Sequence, residues 1–272
     1  MSISSRHDAW SAGTSYDAYM GRWSGEVATR FLAWIDVPAS VDWLEVGCGT
    51  GALSAAILAT CAPRSLLAID PSDGFLATAR HKLPDPRATF APGGADALPA
   101  ADASRDAVVS GLVLNFVPDR EKALAEMRRV ARPGARIGFY VWDYPGRGVA
   151  FMREFWDAAT ALDPAARDLT EDRRFPFCTQ PDLVALAHRA GLVSVAAIPI
   201  EVATGFADFD DFWTPFTLGA GPAPGYCMSL EADARARLRE RLRHTLPRSA
   251  DGAIALTARA WAVKAVVPPA SG

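Results

Sequence analysis

The amino-acid sequence predicts an α/β protein built on a doubly wound, mostly parallel sheet. Two observations carry that expectation. From Val41 onward, short apolar or β-branched runs alternate with helix-length stretches, and the first run ends in a cluster of glycines. Strands alternating with helices of this length pair in parallel, because each helix carries the chain back across a face of the sheet. The 272 residues, half of them hydrophobic and 22% charged, suffice for a sizeable core and exclude a disordered chain.

The elements follow in order. Val27, Phe31, Trp34 and Ile35 recur at helical spacing over 25–35, and Pro38 stops that helix. A strand over 41–46 runs into the glycines, a helix over 51–60 follows, and a second strand covers 65–70. The helix over 73–83 is closed by Pro84, with Asp73 its best cap candidate. A weaker strand lies near 88–92, and a β-branched run covers 106–110. Leu124, Met127 and Val130 share one face of a helix over 121–131, and 136–142 is again a strand. Further on, Thr179 caps a helix with Pro181 near its start and Gly191 past its end, and 192–200 is a strand. Residues 208–248 form a long excursion: aromatics, a Pro/Gly loop at 219–225 and an Arg-rich helix over 230–246, before a last strand over 253–267. Neither a repeat nor a linker interrupts the chain, so a single domain over 1–272 is expected. Residues 1–40 would be N-terminal cap helices, 41–142 a ligand-binding core, and 143–272 a substrate-side half with a lid at about 205–248.

Charge excludes some partners. The 28 basic residues face 31 acidic ones, a net charge of −3, which gives no overall attraction to nucleic acid. Cys48, Cys61, Cys178 and Cys227 match no zinc-ligand spacing and no disulfide scaffold, so no metal is expected. The first 25 residues hold no apolar run of the signal-peptide kind. The longest apolar stretch, 107–117, is broken by Ser110, Gly111 and Asn115 and is too short for a bilayer. The expectation is a cytoplasmic protein with no membrane insertion.

Chemistry concentrates where the first strand turns into its helix: Leu44-Glu45-Val46-Gly47-Cys48-Gly49-Thr50-Gly51. Glycines belong there because the backbone turns tightly and a ligand must approach it closely. Gly47, Gly49 and Ala52 also satisfy the looser dinucleotide fingerprint, so NAD is a rival ligand. Against it stand Glu45, two residues before the first glycine, and the third glycine at Gly51. The next strand ends in Asp70-Pro71-Ser72, where a carboxylate can accept hydrogen bonds from both ribose hydroxyls; a helix-capping Asp is the plainer alternative.

The glycine stretch resembles motif I of the class I S-adenosylmethionine-dependent methyltransferases. Residues 41–142 follow that family's order and spacing through Asp70, through Gly93-Gly94-Ala95-Asp96-Ala97-Leu98-Pro99 and through the Arg132-Pro133-Gly134 turn. At this half the chain is similar to quinone-biosynthesis methyltransferases. The resemblance implies a Rossmann-like sheet of seven strands with the last antiparallel, and a lid between the last two. It implies S-adenosyl-L-methionine as cofactor and S-adenosyl-L-homocysteine as product. Glu45, Gly47, Gly49 and Gly51 would hold the methionine part, and Asp70 with Pro71 the ribose. Asp96 and the Ala97 amide would meet adenine, Gly111 and Leu112 the cofactor's ammonium, and Arg22 its carboxylate.

The substrate side is less specific. Asn115-Phe116-Val117 lacks the prolines of the box that base-modifying methyltransferases carry at this place, which favours a small-molecule methyl acceptor over nucleic acid. Tyr16, Tyr19, Asn115, Trp142, Phe212 and Trp213 are candidate pocket residues. The aromatics near the N-terminus and over 208–226 fit a lid that excludes water, and equally fit core beneath a helical layer. The run of arginines at 235–243 reads as a solvated helix. His7, His81, His188 and His244 are scattered, so no catalytic residue can be nominated. A protein that binds the cofactor without catalysis stays open, as does an NAD-dependent oxidoreductase.

Overall fold

The computed structural model describes residues 17–219 and 221–269, apart from the side chains of 17 and 18; Tyr16 and His7 lie outside them. Seven strands, β1 (Asp42–Val46), β2 (Ser65–Asp70), β3 (Ala88–Pro92), β4 (Arg105–Gly111), β5 (Ala131–Trp142), β6 (Val193–Phe206) and β7 (Ile254–Val266), lie in one sheet in the order 3-2-1-4-5-7-6. β1 pairs in parallel with β2 on one side and β4 on the other, and β2–β3 and β4–β5 are parallel too. β7 runs antiparallel to β5, Arg136 opposite Val266 through Trp142 opposite Ala260. The expected α/β class, with its antiparallel last strand, is the observed one.

The helices are α1 (Arg22–Ile35), α2 (Ala52–Thr60), α3 (Asp73–Lys82), α4 (Arg120–Val130), α5 (Ala150–Leu162), α6 (Glu171–Arg174), α7 (Gln180–Arg189), α8 (Phe209–Trp213), α9 (Pro222–Ser229) and α10 (Ala232–Thr245). The chain divides into two compact units. The first takes Ser24–Trp142, Phe177–Ile200 and the chain from Ala260; the second takes the chain up to Trp23, Asp143–Pro176 and Glu201–Arg259.

In the first unit the central strands are covered on both faces, which is why β1 and β4 read as unbroken apolar runs. Trp43, Leu44, Val108 and Val109 are fully buried. β4 lies beside β1 although β2 and β3 come between them in sequence, and such a reversal of strand order is where α/β sheets bind ligands, outside the strands' carboxyl ends. Several sequence boundaries shift, and β6 runs on to Phe206, six residues past its expected end. β5 begins at Ala131, five residues before the expected start, because Arg105 pairs with Ala131 across an irregularity at Arg105/Ala107. α1 begins at Arg22 after a π-turn over Asp17–Gly21. α3 is capped by Ser72, whose hydroxyl accepts from Phe75 N at 3.3 Å, and Asp73 stands instead in the first turn.

The second unit has an aromatic core. Phe155 stacks on Phe216 with centroids 4.4 Å apart, and Phe212 packs on Phe206 at 5.1 Å and on Phe216 at 5.3 Å. These rings are buried: Phe212 has no exposure, and Phe209, Trp213, Phe216 and Tyr226 have 8% or less. Four helices, α5, α6, α8 and α9, lie outside the expected ones. α5 buries Phe151, Phe155, Trp156 and Ala159 along one face. α9 replaces the anticipated Pro/Gly loop, because Pro222 and Pro224 sit in its first turn, where a missing N–H costs no intrahelical bond. α10 buries Leu238 and Leu242, pairs Arg239 and Arg243 with Asp210, and lets Arg235 donate to the Cys227 and Leu230 carbonyls.

Candidate active site

The glycine loop is built on the β1 end by hydrogen bonds to the neighbouring strand. Gly47 N and Cys48 N both donate to Ile69 O, at 2.8 and 2.9 Å, and Gly51 N donates to Cys48 O at 2.9 Å. Gly47, Gly49 and Gly51 all have positive φ, at 75°, 52° and 92°. Their environments differ. A Cβ on Gly47 would meet Val113 at 2.5 Å, and one on Gly51 would meet Leu83 at 2.8 Å. One on Gly49 would meet nothing within 4 Å. Two of the glycines therefore serve close packing, and the third faces space a ligand can use.

Asp70 fixes the loop from β2. Its Oδ2 accepts from Gly49 N at 2.9 Å and its Oδ1 from Ser72 N at 2.8 Å. Each oxygen keeps a further lone pair for another donor. Burial pushes the Asp70 carboxyl up against those two amide bonds. Glu45 lies deeper, 1% exposed, and accepts from Ser54 Oγ on α2. Burial raises its carboxyl from 4.5 to about 7, with the Asp70 charge adding to the rise. Glu45 is thus a brace between β1 and α2. Cys48 is a buried thiol pushed far up by burial and the two acids, which leaves it inert.

The neighbouring segments lock onto this loop. Gly93 N donates to Asp70 O at 3.3 Å, and Ser110 Oγ to Val46 O at 2.9 Å. Asp96 is exposed, 3.7 Å from Lys122 Nζ, and Ala97 N donates to Gly94 O at 3.4 Å. A Cβ on Gly111 would lie 2.5 Å from the Tyr140 hydroxyl, and Leu112, at φ 61°, donates its amide to Tyr140 O. A leucine held in the left-handed region at the end of a central strand is backbone strain of the kind that gathers at binding sites. Asn115 is buried with its Nδ2 unpartnered, and Trp142, 2% exposed, ends β5. Pro71 is exposed beside Asp70.

The remaining candidates lie in the second unit. Arg22 gives both terminal nitrogens to Asp211, at 2.8 and 3.1 Å, and its guanidinium lies over Trp23 and Phe206. Tyr19 packs edge-on against Phe151 and Phe216 with its hydroxyl buried and unpartnered. His81, His188 and His244 are exposed on outer helices. Ser54, Val113 and Tyr140, which shape the site, were missed in the sequence, since only tertiary packing brings them to it. Among the described residues no cluster of His, Cys, Asp or Glu could hold a metal. No helix among them is long and apolar enough to cross a membrane.

This loop, acid and strand order match a family. Residues 44–139 match the model of a methyltransferase domain family. The malonyl-[acyl-carrier protein] O-methyltransferase of Methylococcus capsulatus is 30% identical over 171 residues, 61% of this chain and 62% of that protein. The demethylmenaquinone methyltransferase of Shouchella clausii is 37% identical over 107 residues, 38% of this chain and 46% of that protein. The chain thus spans less than two thirds of these relatives' lengths. A solved phosphoethanolamine N-methyltransferase 2 of Haemonchus contortus, in complex with S-adenosyl-L-methionine, is similar in fold over 99% of this chain and 60% of its own. Its TM-score is 0.61 and its identity 16%. The YcgJ protein of Bacillus subtilis gives 0.58 at 14% identity, over 91% of this chain and 99% of its own. The matched segment covers the glycine loop, both acids of the loop's neighbourhood and most of the β4–β5 pair, all within the first unit.

Proposed function

We propose that the protein transfers the methyl group of S-adenosyl-L-methionine to a small-molecule acceptor in the cytoplasm. The observation that carries this reading is Gly49: positive φ, open space where its Cβ would be, and an amide held by Asp70 at the crevice of the sheet. The residues fit the cofactor. Asp70 has lone pairs free for ribose hydroxyls, with exposed Pro71 beside it, and exposed Asp96 and Ala97 are available to adenine. Gly47–Gly51 would bear the methionine part, braced by Glu45, and the Gly111–Leu112 backbone its ammonium. Arg22 is left out of this set, because Asp211 already neutralises it.

When bound, the cofactor supplies an electrophilic methyl on a sulfonium. The chain's own contribution is to hold, orient and dry the site, since an in-line displacement needs positioning and desolvation above all. No general base is assigned, and none is required for an acceptor that arrives deprotonated. The small-molecule acceptor rests on the absence of prolines at Asn115-Phe116-Val117 and on the names of the relatives. Four free cysteines, three of them buried, suit a reducing compartment.

Calorimetric titration tests the reading. S-adenosyl-L-homocysteine should bind, and Asp70→Ala should weaken it by about 1.5–3 kcal/mol, the range for hydrogen bonds to a charged group. Binding of NADH in its place would overturn the reading in favour of an oxidoreductase.

A further inference from the structure

Leu112, at the end of β4, is strained, and one residue of β5 accounts for it. A leucine at φ 61° carries the left-handed penalty, so its surroundings must hold it there. Tyr140 stands opposite Gly111 in the β4–β5 register and acts on this corner twice. Its carbonyl accepts from Leu112 N at 2.8 Å. Its phenol lies where a Cβ on Gly111 would be, the hydroxyl 2.5 Å away and ring carbon Cζ 2.6 Å. Gly111 itself is not at positive φ, so the phenol rather than the backbone demands glycine there. That phenol is a firm stop. Tyr140 is 2% exposed, and its ring packs on Phe31 of α1 with centroids 4.9 Å apart.

Peptide planarity then sets where the Gly111 carbonyl points. In a trans peptide the C=O of one residue lies opposite the N–H of the next. The Leu112 N–H is directed at β5, so the Gly111 oxygen is directed to the other side of β4, where β1 lies. The β1–β4 register ends at Glu45 beside Val109, and beyond it Gly47 N and Cys48 N both turn to Ile69 O on β2. The Gly111 carbonyl therefore faces the parting of β1 and β4, at the mouth of the glycine loop. We infer that Tyr140 is a positioning residue for the amino-acid end of the cofactor: its phenol holds the Gly111–Leu112 corner so that the Gly111 carbonyl accepts from the ammonium. This inference rests on the cofactor reading above. Without the phenol, Leu112 relaxes towards negative φ and the carbonyl leaves its line. The adenosine end is assigned to Asp70 and to Asp96 with Ala97, which come from β2 and the stretch after β3, so it does not depend on this corner.

The test is calorimetric titration of the full chain with S-adenosyl-L-homocysteine and with 5′-methylthioadenosine, which keeps the adenosine and thioether but lacks the amino-acid end. The unaltered chain should bind both, the first more tightly. Tyr140→Leu should weaken S-adenosyl-L-homocysteine about tenfold, the ratio that the left-handed strain of one residue amounts to, and leave 5′-methylthioadenosine unchanged. Tyr140→Phe keeps the ring and loses only the oxygen nearest Gly111, so its loss should be as selective but smaller. Gly111→Ala drives a methyl into the phenol and should also lose S-adenosyl-L-homocysteine selectively. Combined with Tyr140→Leu, that methyl takes the vacated space, and most of the binding should return. Equal losses of both ligands in the Tyr140 variants would make the tyrosine a support of the fold only and overturn the inference. Unchanged S-adenosyl-L-homocysteine binding in those variants, or a double variant no better than the weaker single one, overturns it too. If Tyr140→Leu does not fold, Tyr140→Phe decides alone, a selective loss supporting the inference and no loss overturning it. An unaltered chain that binds neither ligand would overturn the cofactor reading itself, so the two failures are distinguishable.

Discussion

At Gly47 and Gly49 two residues of one loop, two positions apart, have opposite reasons for lacking a side chain. Gly47→Ala drives a methyl into Val113 at 2.5 Å, inside the packed first unit. Overpacking of that kind costs about 1–3 kcal/mol, and a non-glycine at φ 75° adds strain. Gly49→Ala carries only the left-handed strain, about 1–2 kcal/mol, with nothing to collide with until a ligand arrives. Urea denaturation and calorimetry should therefore separate them. Gly47→Ala loses more stability, and Gly49→Ala loses S-adenosyl-L-homocysteine binding at least tenfold. Equal binding by Gly49→Ala and the parent would remove Gly49 from the ligand's path. The glycines were legible in the sequence because their spacing and place after a strand are local. Val113 and Tyr140 were not, since what makes Gly47 and Gly111 necessary arrives from the loop after β4 and from β5.

Most elements between 41 and 142 were legible from their periodicity, α5 was missed despite its own, and cap chemistry or proline misled at α3 and α9. Ser72 and Asp73 are both good cap residues, and sequence alone prefers the one touching the apolar helix. The backbone of Ser72 is extended, φ −93° and ψ 110°, which is the cap conformation, and its hydroxyl accepts from Phe75 N. Ser72→Ala should then cost about 1 kcal/mol of stability, while Asp73→Ala forfeits only a first-turn charge, about 0.3–1 kcal/mol. Denaturant midpoints of the two variants check the order; a larger loss for Asp73→Ala would return the cap to Asp73. The Pro/Gly stretch before α10 shows the converse error. Pro222 and Pro224 read as breakers, yet in the first turn they are compatible with α9. The aromatic segment 208–226 is ambiguous in sequence because a lid and a core both need large apolar rings, and its ring partners, Phe155 and Phe206, come from distant parts of the chain.

At the scale of the whole molecule, the two buried glutamates make stability depend on pH in an unusual direction. Glu45 and Glu171 are each raised from 4.5 to about 7 by burial. Below pH 4.5 both are protonated whether the chain is folded or not, and they contribute no dependence. Between 4.5 and 7 the unfolded chain releases these protons while the folded chain keeps them, so the folded state binds more protons and stability falls as pH rises. Above 7 the loss is complete, about 3 kcal/mol for each group. Carboxyls held low by arginines, such as Asp42 beside Arg64 and Asp211 beside Arg22, act the opposite way and lose their contribution as pH falls below the ordinary carboxyl range. The balance places the stability maximum near pH 5 rather than in the neutral range. Urea unfolding of the ligand-free protein at pH 5 and pH 8 should show the higher midpoint at pH 5. The double variant Glu45→Gln, Glu171→Gln keeps an oxygen for Ser54 and for Trp156 but has nothing to ionise, and it should lose most of that difference by gaining stability at pH 8. A parent midpoint that is flat or rises from pH 5 to pH 8 would mean that both acids are ionised in the folded protein, each with a partner for its charge.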